Sequence, residues 1–273
     1  MLTRIITAVI LIAVFLPIMY FSDTYAFDIA AALLSVTAVY ELLGCTGMKK
    51  EYSVAIPVYI YALAMPLYVE VSYKYTYNLT LLLIFVLFSV TVFSKGKHNI
   101  EKTSALTAFS IYAVSSFTAL IILRRGDFGE YIIWLVFIGA WVTDTCAYFV
   151  GRFFGKHKLI PDVSPKKTVE GAVGGAVFCI AAYVLYGVII SAFFDVRANF
   201  AALAAAGCIS SLVSQLGDLC ASKIKRHYNI KDFGTLLPGH GGIMDRFDSI
   251  LAVALFLLII TSRPDIVALF AVQ

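Results

Sequence analysis

Long apolar runs alternate with short polar loops along almost the whole chain. The pattern predicts nine membrane-spanning helices, at approximately 4–21, 25–44, 53–71, 77–94, 104–123, 131–150, 171–194, 198–221 and 247–262. About 20 apolar residues are needed to cross the hydrocarbon core of a bilayer, and a helix satisfies its own backbone hydrogen bonds in lipid. The predicted fold class is therefore all-α, a polytopic membrane protein with about nine transmembrane helices.

The short loops indicate one domain. No linker is long enough to separate two domains, so 1–273 is expected to form a single integral membrane domain, with mainly scaffold spans in 1–125 and the catalytic spans and loops in 131–250. Glu41 lies near the end of the second run, where a charged side chain usually extends to the membrane interface, and the alternative for Glu41 is a functional role. The apolar tail 266–272 is too short to cross and is expected in the interface.

Composition and charge agree with a membrane protein and predict its orientation. Apolar residues make up 61% of the chain and charged residues 14%, whereas a soluble domain has about 25% charged residues. Of the 21 Lys and Arg residues, the nine spans place 16 on one side and 5 on the other, and the positive-inside rule puts the richer side in the cytoplasm. The two longest loops, 151–170 and 222–248, then share the cytoplasmic face and are expected to build one site there.

The loop 222–248 concentrates charge and glycine between two apolar runs. It reads SKIKRHYNIKDFGTLLPGHGGIMDRFD. Its aspartates suit a hard cation, which takes oxygen ligands, and its Lys and Arg residues suit phosphates. Its glycines let backbone N–H groups approach an anion closely. The loop therefore predicts chemistry on phosphate groups at the membrane surface.

Asp144 and Asp218 lie inside predicted spans, where a carboxylate is costly and is expected to face the bundle interior or a polar cavity. Asp144 has Tyr148 one turn further along the same helical face, and the alternative for Asp144 is a buried carboxylate satisfied by a neighbouring hydroxyl. Near the end of the eighth span, one helical face aims Asp218, Ser222 and Lys225 toward the large loop. The alternative for Asp218 is a helix-end charge among lipid headgroups.

Residues 164–168 read Ser-Pro-Lys-Lys-Thr and are expected to form a phosphate-binding turn that opens a helix. Ser164 can cap such a helix and Pro165 fits its first turn, while the helix N-terminus favours anions. The alternative is that these lysines contact anionic headgroups. His240 lies between glycines and is a candidate phosphate contact, whereas the histidine spacing does not favour a zinc site.

The large loop resembles the signature of the phosphatidate cytidylyltransferases, also called CDP-diacylglycerol synthases. The runs 164–171 and 144–148 are similar to that family as well. The signature has a Ser, a Lys-Arg pair, Lys-Asp, a small residue, an apolar-Pro pair, His-Gly-Gly and Asp-Arg-apolar-Asp. This chain fills it without departure, with Ser222, Lys225, Arg226, Lys231, Asp232, Gly234, Leu237, Pro238, His240, Gly241, Gly242, Asp245, Arg246 and Asp248.

The resemblance implies a metal-dependent enzyme of phospholipid biosynthesis that converts CTP and phosphatidic acid to CDP-diacylglycerol and pyrophosphate. It implies Mg²⁺, admits a companion monovalent cation such as K⁺, and suggests a homodimer. It also implies a bacterial inner membrane with cytoplasmic N-terminus and site loops, and no nucleic acid partner. The implied metal ligands are Asp218, Asp245 and Asp248.

Roles for the remaining residues follow from the same resemblance and from their charge. The catalytic group is expected to comprise Asp218, Lys225, Arg226, Asp245 and Arg246. The substrate-binding group is expected to comprise Asp144, Tyr148, Ser164, Lys166, Lys167, Thr168, Ser222, Lys231, His240, Gly241 and Gly242.

Two other functions stay open at this stage. A CTP-dependent lipid kinase, or a cytidylyltransferase for another lipid phosphate, would share the CTP and metal residues, and a kinase would release CDP instead of pyrophosphate. A transporter with Asp144 and Asp218 as ion sites would want polar residues near the bilayer centre. The charges of this chain crowd one face instead, which disfavours transport.

Overall fold

The computed structural model of the chain describes residues 2–72, 76–263 and 268–272. Nine helices occur in these residues: α1 (Leu2–Tyr20), α2 (Tyr25–Cys45), α3 (Tyr52–Ser72), α4 (Thr76–Phe93), α5 (Ile100–Arg125), α6 (Gly129–Phe154), α7 (Val169–Phe193), α8 (Phe200–His227) and α9 (Met244–Thr261). Seven of them, α2 to α8, contain a stretch that is long and apolar enough to cross a membrane. The prediction of an all-α polytopic membrane protein is confirmed.

The first and last helices differ from the other seven. The described apolar part of α1 runs over Ile6–Tyr20, which is shorter than the spans of α2 to α8. Helix α9 has three charged residues among its first five positions. The apolar character of α9 therefore begins only after its first turn, and that turn contributes charged residues to the predicted site.

Two short antiparallel pairs of strands join the helices. Strand β1 (Lys158–Ile160) pairs with β2 (Ser164–Thr168), and β3 (Val196–Ala198) pairs with β4 (Phe270–Val272). The sequence predicted an interfacial apolar tail over 266–272, of which 266 and 267 lie outside the described residues. Residues 270–272 form β4 and pair with β3, and the position of this strand relative to the membrane stays a prediction.

The described chain divides into two compact units. The first unit comprises Met1–Ile122 and His227–Arg246, and the second comprises Leu123–Arg226 and Phe247–Gln273. Most of the signature loop thus belongs to the unit built from the N-terminal helices. The single-domain organisation stays a prediction, and each unit is described by itself below.

A buried tyrosine ties three helices of the second unit together. The hydroxyl of Tyr183 on α7 donates to Leu135 O on α6 at 2.7 Å, and it lies 3.0 Å from Ser210 Oγ on α8. Its side chain is fully buried, so these bonds replace the water that the hydroxyl would otherwise need. Helices α6 and α7 can approach closely because Gly175 has no Cβ. A Cβ there would lie only 3.0 Å from Thr143 O. This contact agrees with a packing role for the Gly-x-x-x-Gly pair at 171 and 175.

Candidate active site

A cavity of about 300 Å³ opens in the second unit between α6, α7, α8 and β2. We call it the Asp144 cavity. Six residues that the sequence predicted as site residues line it, namely Asp144, Tyr148, Lys166, Lys167, Thr168 and Asp218. Asp144 and Tyr148 both line this cavity, so they share one face of α6 as the helical spacing predicted. The role of both residues there stays a prediction.

An ion pair occupies one wall of the Asp144 cavity. The Nζ of Lys167 on β2 lies 2.6 Å from Asp218 Oδ2 on α8, and both side chains are partly exposed. Ser222 donates to Asp218 Oδ1 at 3.4 Å from one turn further along α8, as the predicted helical face requires. Tyr148 accepts a 3.0 Å hydrogen bond from Arg152 Nη1. The cavity therefore presents cations and a carboxylate at hydrogen-bonding distance from one another.

The segment before α7 is a strand and not a capped turn. Thr168, with an extended backbone, caps α7 through its Oγ1, which accepts from Gly171 N at 3.2 Å. The expectation that Ser164 caps the helix and that Pro165 lies in its first turn is wrong, because 164–168 pairs with β1 in the register Ile160↔Ser164. A residue before proline prefers extended backbone, which agrees with this pairing. Strand β2 instead presents Lys166 and Lys167 to the Asp144 cavity.

The carboxylate of Asp248 interacts electrostatically with those of Asp218 and Asp144. Asp248, half-buried in α9, is repelled by Asp218 and more weakly by Asp144, and is attracted by Lys225. Gly217 makes the approach of α9 possible, because a Cβ there would lie 2.7 Å from Asp248 O. Asp248 therefore adds negative charge beside Asp218 and Asp144 in this unit, which a bound cation would offset.

The geometry of these carboxylates fits Mg²⁺ better than a metal held by protein alone. Over the described residues, no group of three or more His, Cys, Asp or Glu side chains converges on a common point. Mg²⁺ usually keeps several water ligands and takes one or two carboxylates plus substrate phosphates. Asp218 and Asp248 can supply such a partial set. Magnesium at these residues stays a prediction.

The signature loop of the first unit folds around the carboxylate of Asp245. Its Oδ2 accepts from Phe233 N at 2.7 Å and from Gly242 N at 3.0 Å. Leu237 and Gly241 pair as an isolated bridge, and Gly241 has a φ of +90°, in the region that favours glycine. The anion that the Gly242 amide binds is thus a carboxylate of the protein, and the role of Asp245 as a metal ligand stays a prediction.

Basic groups of the signature loop border a separate cleft. This cleft, of about 580 Å³, is lined entirely by loop residues, including Lys231, His240 and Arg246. The side chains of Lys231 and Arg246 are exposed, so both are free to meet an anion. His240 is half-buried, and its Nδ1 is enclosed without a hydrogen-bond partner among the described residues. These groups form a basic cleft, and their contacts with phosphate stay predictions.

Glu41 is another residue that the sequence interpretation misjudged. It is 2% exposed, and its two oxygens accept from Ile243 N and Met244 N at 2.9 Å each. The expectation that Glu41 extends to the membrane interface is wrong, because the first turn of α9 supplies two backbone donors that a carboxylate can satisfy. The signal that could have found it is general: an acidic residue inside a membrane span is a functional candidate by default.

The remaining predicted site residues lie around these features. Arg226 is exposed at the end of α8, and Lys225 is half-buried beside it. Ser164 is half-buried at the start of β2. The Asp144 cavity and the basic cleft thus each gather part of the predicted site residues of their unit. The predicted residues that line neither are Ser164, Ser222, Lys225, Arg226 and Asp248 of the second unit and Gly242 and Asp245 of the first.

Comparison with known proteins identifies the family. The sequence model of the Cytidylyltransferase family matches residues 2–262. A phosphatidate cytidylyltransferase of Staphylococcus haemolyticus (strain JCSC1435) is 35% identical over 256 residues, covering 92% of this chain and 95% of the relative. One of Bacillus subtilis (strain 168) is 39% identical over 173 residues, 63% of each chain. One of Staphylococcus aureus (strain COL) is 41% identical over 172 residues, 62% of this chain and 63% of the relative.

The family model, over 2–262, includes both the Asp144 cavity and the signature loop, and the relative of Staphylococcus haemolyticus covers 92% of the chain. They agree with the resemblance that the signature residues carry. The chain therefore belongs to the Cytidylyltransferase family and is a nucleotidyltransferase enzyme.

Proposed function

We propose that this protein transfers the cytidylyl group of CTP to the phosphate of phosphatidic acid in phospholipid biosynthesis. A phosphate oxygen of the lipid attacks the α-phosphorus of CTP, the bond from that phosphorus to the β-phosphate oxygen breaks, and pyrophosphate leaves. CDP-diacylglycerol is the lipid product. The observation that carries the proposal is the Asp144 cavity, in which carboxylates and lysines lie together at one end of apolar helices.

The reaction does not require a general base. A phosphomonoester has its second pKa near ~6, so it is largely dianionic at neutral pH and is already a nucleophile. The difficulty is electrostatic, because two like unit charges 4 Å apart repel by about 4 kcal/mol at an effective dielectric of 20. Catalysis then rests on positioning and on cations that offset this repulsion. The charged groups that line the Asp144 cavity and the basic cleft suit that task.

The basic residues divide into two groups by unit. In the second unit, Lys166 and Lys167 border the Asp144 cavity and are assigned to the nucleotide phosphates. In the first unit, Lys231, His240 and Arg246 border the basic cleft and are assigned to an anionic group of either substrate. Lys225 and Arg226 complete the positive charge near the end of α8 and are assigned to the nucleotide phosphates as well.

Magnesium forms part of the proposal. Asp218 and Asp248 are assigned as its protein ligands, with the Ser222 hydroxyl beside them and with Asp245 retained as a candidate. Bound Mg²⁺ supplies charge neutralisation for the nucleotide phosphates and the leaving pyrophosphate. The ammonium of Lys167 lies 2.6 Å from Asp218 Oδ2 and balances the charge of that carboxylate.

The proposal includes an orientation in the bacterial inner membrane, with both site loops and the N-terminus in the cytoplasm. Two contacts of the first unit support it: Glu41 near the C-terminal end of α2 holds Ile243, and Thr7 Oγ1 near the start of α1 donates to Pro238 O at 3.0 Å. The predicted topology requires these ends and the loop to share one membrane face. Phosphatidic acid would enter from the bilayer, and a homodimer is proposed from the resemblance alone.

A turnover assay on the purified protein in detergent tests the proposal. The assay contains CTP, phosphatidic acid and Mg²⁺ and follows CDP-diacylglycerol and pyrophosphate. We expect the two products in equal amounts, and we expect Asp218→Asn to abolish turnover while the protein stays folded. Release of CDP in place of pyrophosphate would establish a lipid kinase, and no product from any lipid phosphate would refute the proposal.

A further inference from the structure

We infer that Glu41 is a positioning residue for the reaction, acting through the signature loop. The inference rests on the proposed function, because the reaction is the readout of correct loop geometry. Glu41 lies on α2, within the part of the chain that the sequence assigned to scaffold. It is one of the few acidic residues of the first unit that is fully enclosed, with 2% of its surface exposed.

Three consecutive backbone amides, at 242–244, donate hydrogen bonds to carboxylates. Gly242 N donates to Asp245 Oδ2 at 3.0 Å, and Ile243 N and Met244 N donate to the two oxygens of Glu41 at 2.9 Å each. The first turn of a helix leaves its N–H groups without intrahelical partners. Two carboxylates therefore satisfy the backbone at the junction where the loop ends and α9 begins.

The loop fits closely around the Glu41 carboxylate. A Cβ at Gly234 would lie 2.7 Å from Glu41 Cδ, and a Cβ at Gly242 would overlap the same carboxylate. Two glycines from different parts of the loop thus make room for one side chain of α2. Because Gly234 and Gly242 both belong to the signature, the room they leave is part of the pattern that the family motif describes.

The contact between Glu41 and Gly234 lies at the wall of the basic cleft. Gly234 lines the cleft together with Lys231, His240 and Arg246, and Glu41 packs directly behind it. A carboxylate is needed at position 41, because both neighbouring groups are N–H donors and only an anion accepts from both through two oxygens. The amide of Gln would aim its own N–H₂ group at one donor and leave that donor unsatisfied.

The magnitude of the effect follows from the sensitivity of phosphoryl-type transfers to position. A displacement of about 1 Å far from the reacting atoms costs up to about 100-fold in rate. We therefore expect Glu41→Gln to lower kcat/KM by about 10- to 100-fold per folded molecule. A role in stability alone would lower the yield of folded protein and leave kcat/KM of the folded fraction unchanged.

The experiment compares Glu41→Gln, Glu41→Ala, Gly234→Ala and the double variant Glu41→Ala/Gly234→Ala in the full-length protein in detergent. Asp28→Asn is the matched control, since Asp28 is equally buried on the same helix but about 20 Å away along its axis. Position 234 has no left-handed φ, so Ala costs nothing there except through the contact with Glu41. The measurements are kcat and KM for both substrates and the amide hydrogen exchange of 233–244.

We expect Glu41→Gln and Gly234→Ala to lower kcat/KM and to accelerate exchange in 233–244 at least tenfold, with other segments unchanged. Gly234→Ala should add less than twofold once Glu41 is already Ala, and Asp28→Asn should stay within twofold of wild type. Normal kcat/KM in Glu41→Gln would overturn the inference, as would additive effects in the double variant. If the wild type forms no CDP-diacylglycerol, the proposed function fails, and the exchange data alone then decide whether Glu41 orders the loop.

Discussion

Removal of the Lys167 ammonium is the perturbation that the structure makes most quantitative. Its Nζ lies 2.6 Å from Asp218 Oδ2, and opposite unit charges at that separation attract by about 6 kcal/mol at an effective dielectric of about 20. Desolvation of both ions offsets much of this attraction, and the side chains keep 23% and 29% of their exposure. We expect a net coupling free energy of about 1 to 3 kcal/mol between the two residues.

A double-mutant cycle measures that coupling. The variants are Lys167→Met, Asp218→Asn and the double variant, and the observable is the free energy of unfolding in mixed detergent and denaturing micelles, without nucleotide or Mg²⁺. We expect each single variant to be destabilised and the double variant to recover part of the loss, because no unpaired charge remains.

The matched control for this cycle is Lys166→Met with Asp218→Asn. Lys166 is the neighbouring lysine and also borders the Asp144 cavity, but it makes no ion pair in the part of the chain that the structure describes. Its effect should add to that of Asp218→Asn. If the Lys167 cycle is also additive to within about 0.5 kcal/mol, the ion pair has no energetic weight and the reasoning is refuted.

Three further predictions follow from the same contacts. Lys167→Met should bind Mg²⁺ at least tenfold more tightly than wild type in the absence of CTP, as measured by calorimetry, because the competing ammonium at Asp218 is gone; unchanged or weaker binding would argue against a metal at Asp218. Gly217→Ala should lower turnover and destabilise the protein by about 1 to 3 kcal/mol through overpacking, because its Cβ would lie 2.7 Å from Asp248 O; a fully active variant of normal stability would contradict this packing. Phe270→Ala should cost about 3 to 5 kcal/mol of stability, since the ring is 4% exposed and packs on Tyr131. The kcat/KM of the folded fraction should stay at the wild-type value, and a loss of turnover in folded protein would show that β4 influences the site.

The helices could be predicted from the sequence because hydrophobicity alone determines them. A span is a local property of about 20 consecutive residues. The nine helices of the described residues begin and end within four residues of their predicted bounds, except that α8 continues six residues past its predicted end, to His227. The alignment of Asp144 with Tyr148, and of Asp218 with Ser222, follows from helical periodicity in the same way. The Asp144 cavity was therefore foreseeable in its helical parts.

The errors arose where a contact joins distant parts of the chain. Glu41 accepts from backbone N–H groups that are 202 and 203 residues away, so no local pattern reveals its partner. The same applies to β4, whose partner β3 lies more than 70 residues earlier in the chain. At 164–168 the sequence predicted Ser164 as the cap, whereas pairing with β1 extends the backbone through 168 and Thr168 caps α7 instead.

The fate of the phosphorus atoms of CTP tests the central claim most directly. Purified protein is given phosphatidic acid, Mg²⁺ and CTP labelled with ³²P at either the α or the γ position, and the lipid fraction is counted. The account predicts that the α label enters the lipid in one-to-one ratio with pyrophosphate released, while the γ label stays in the aqueous phase. Transfer of the γ label to the lipid would show a kinase and would contradict the account.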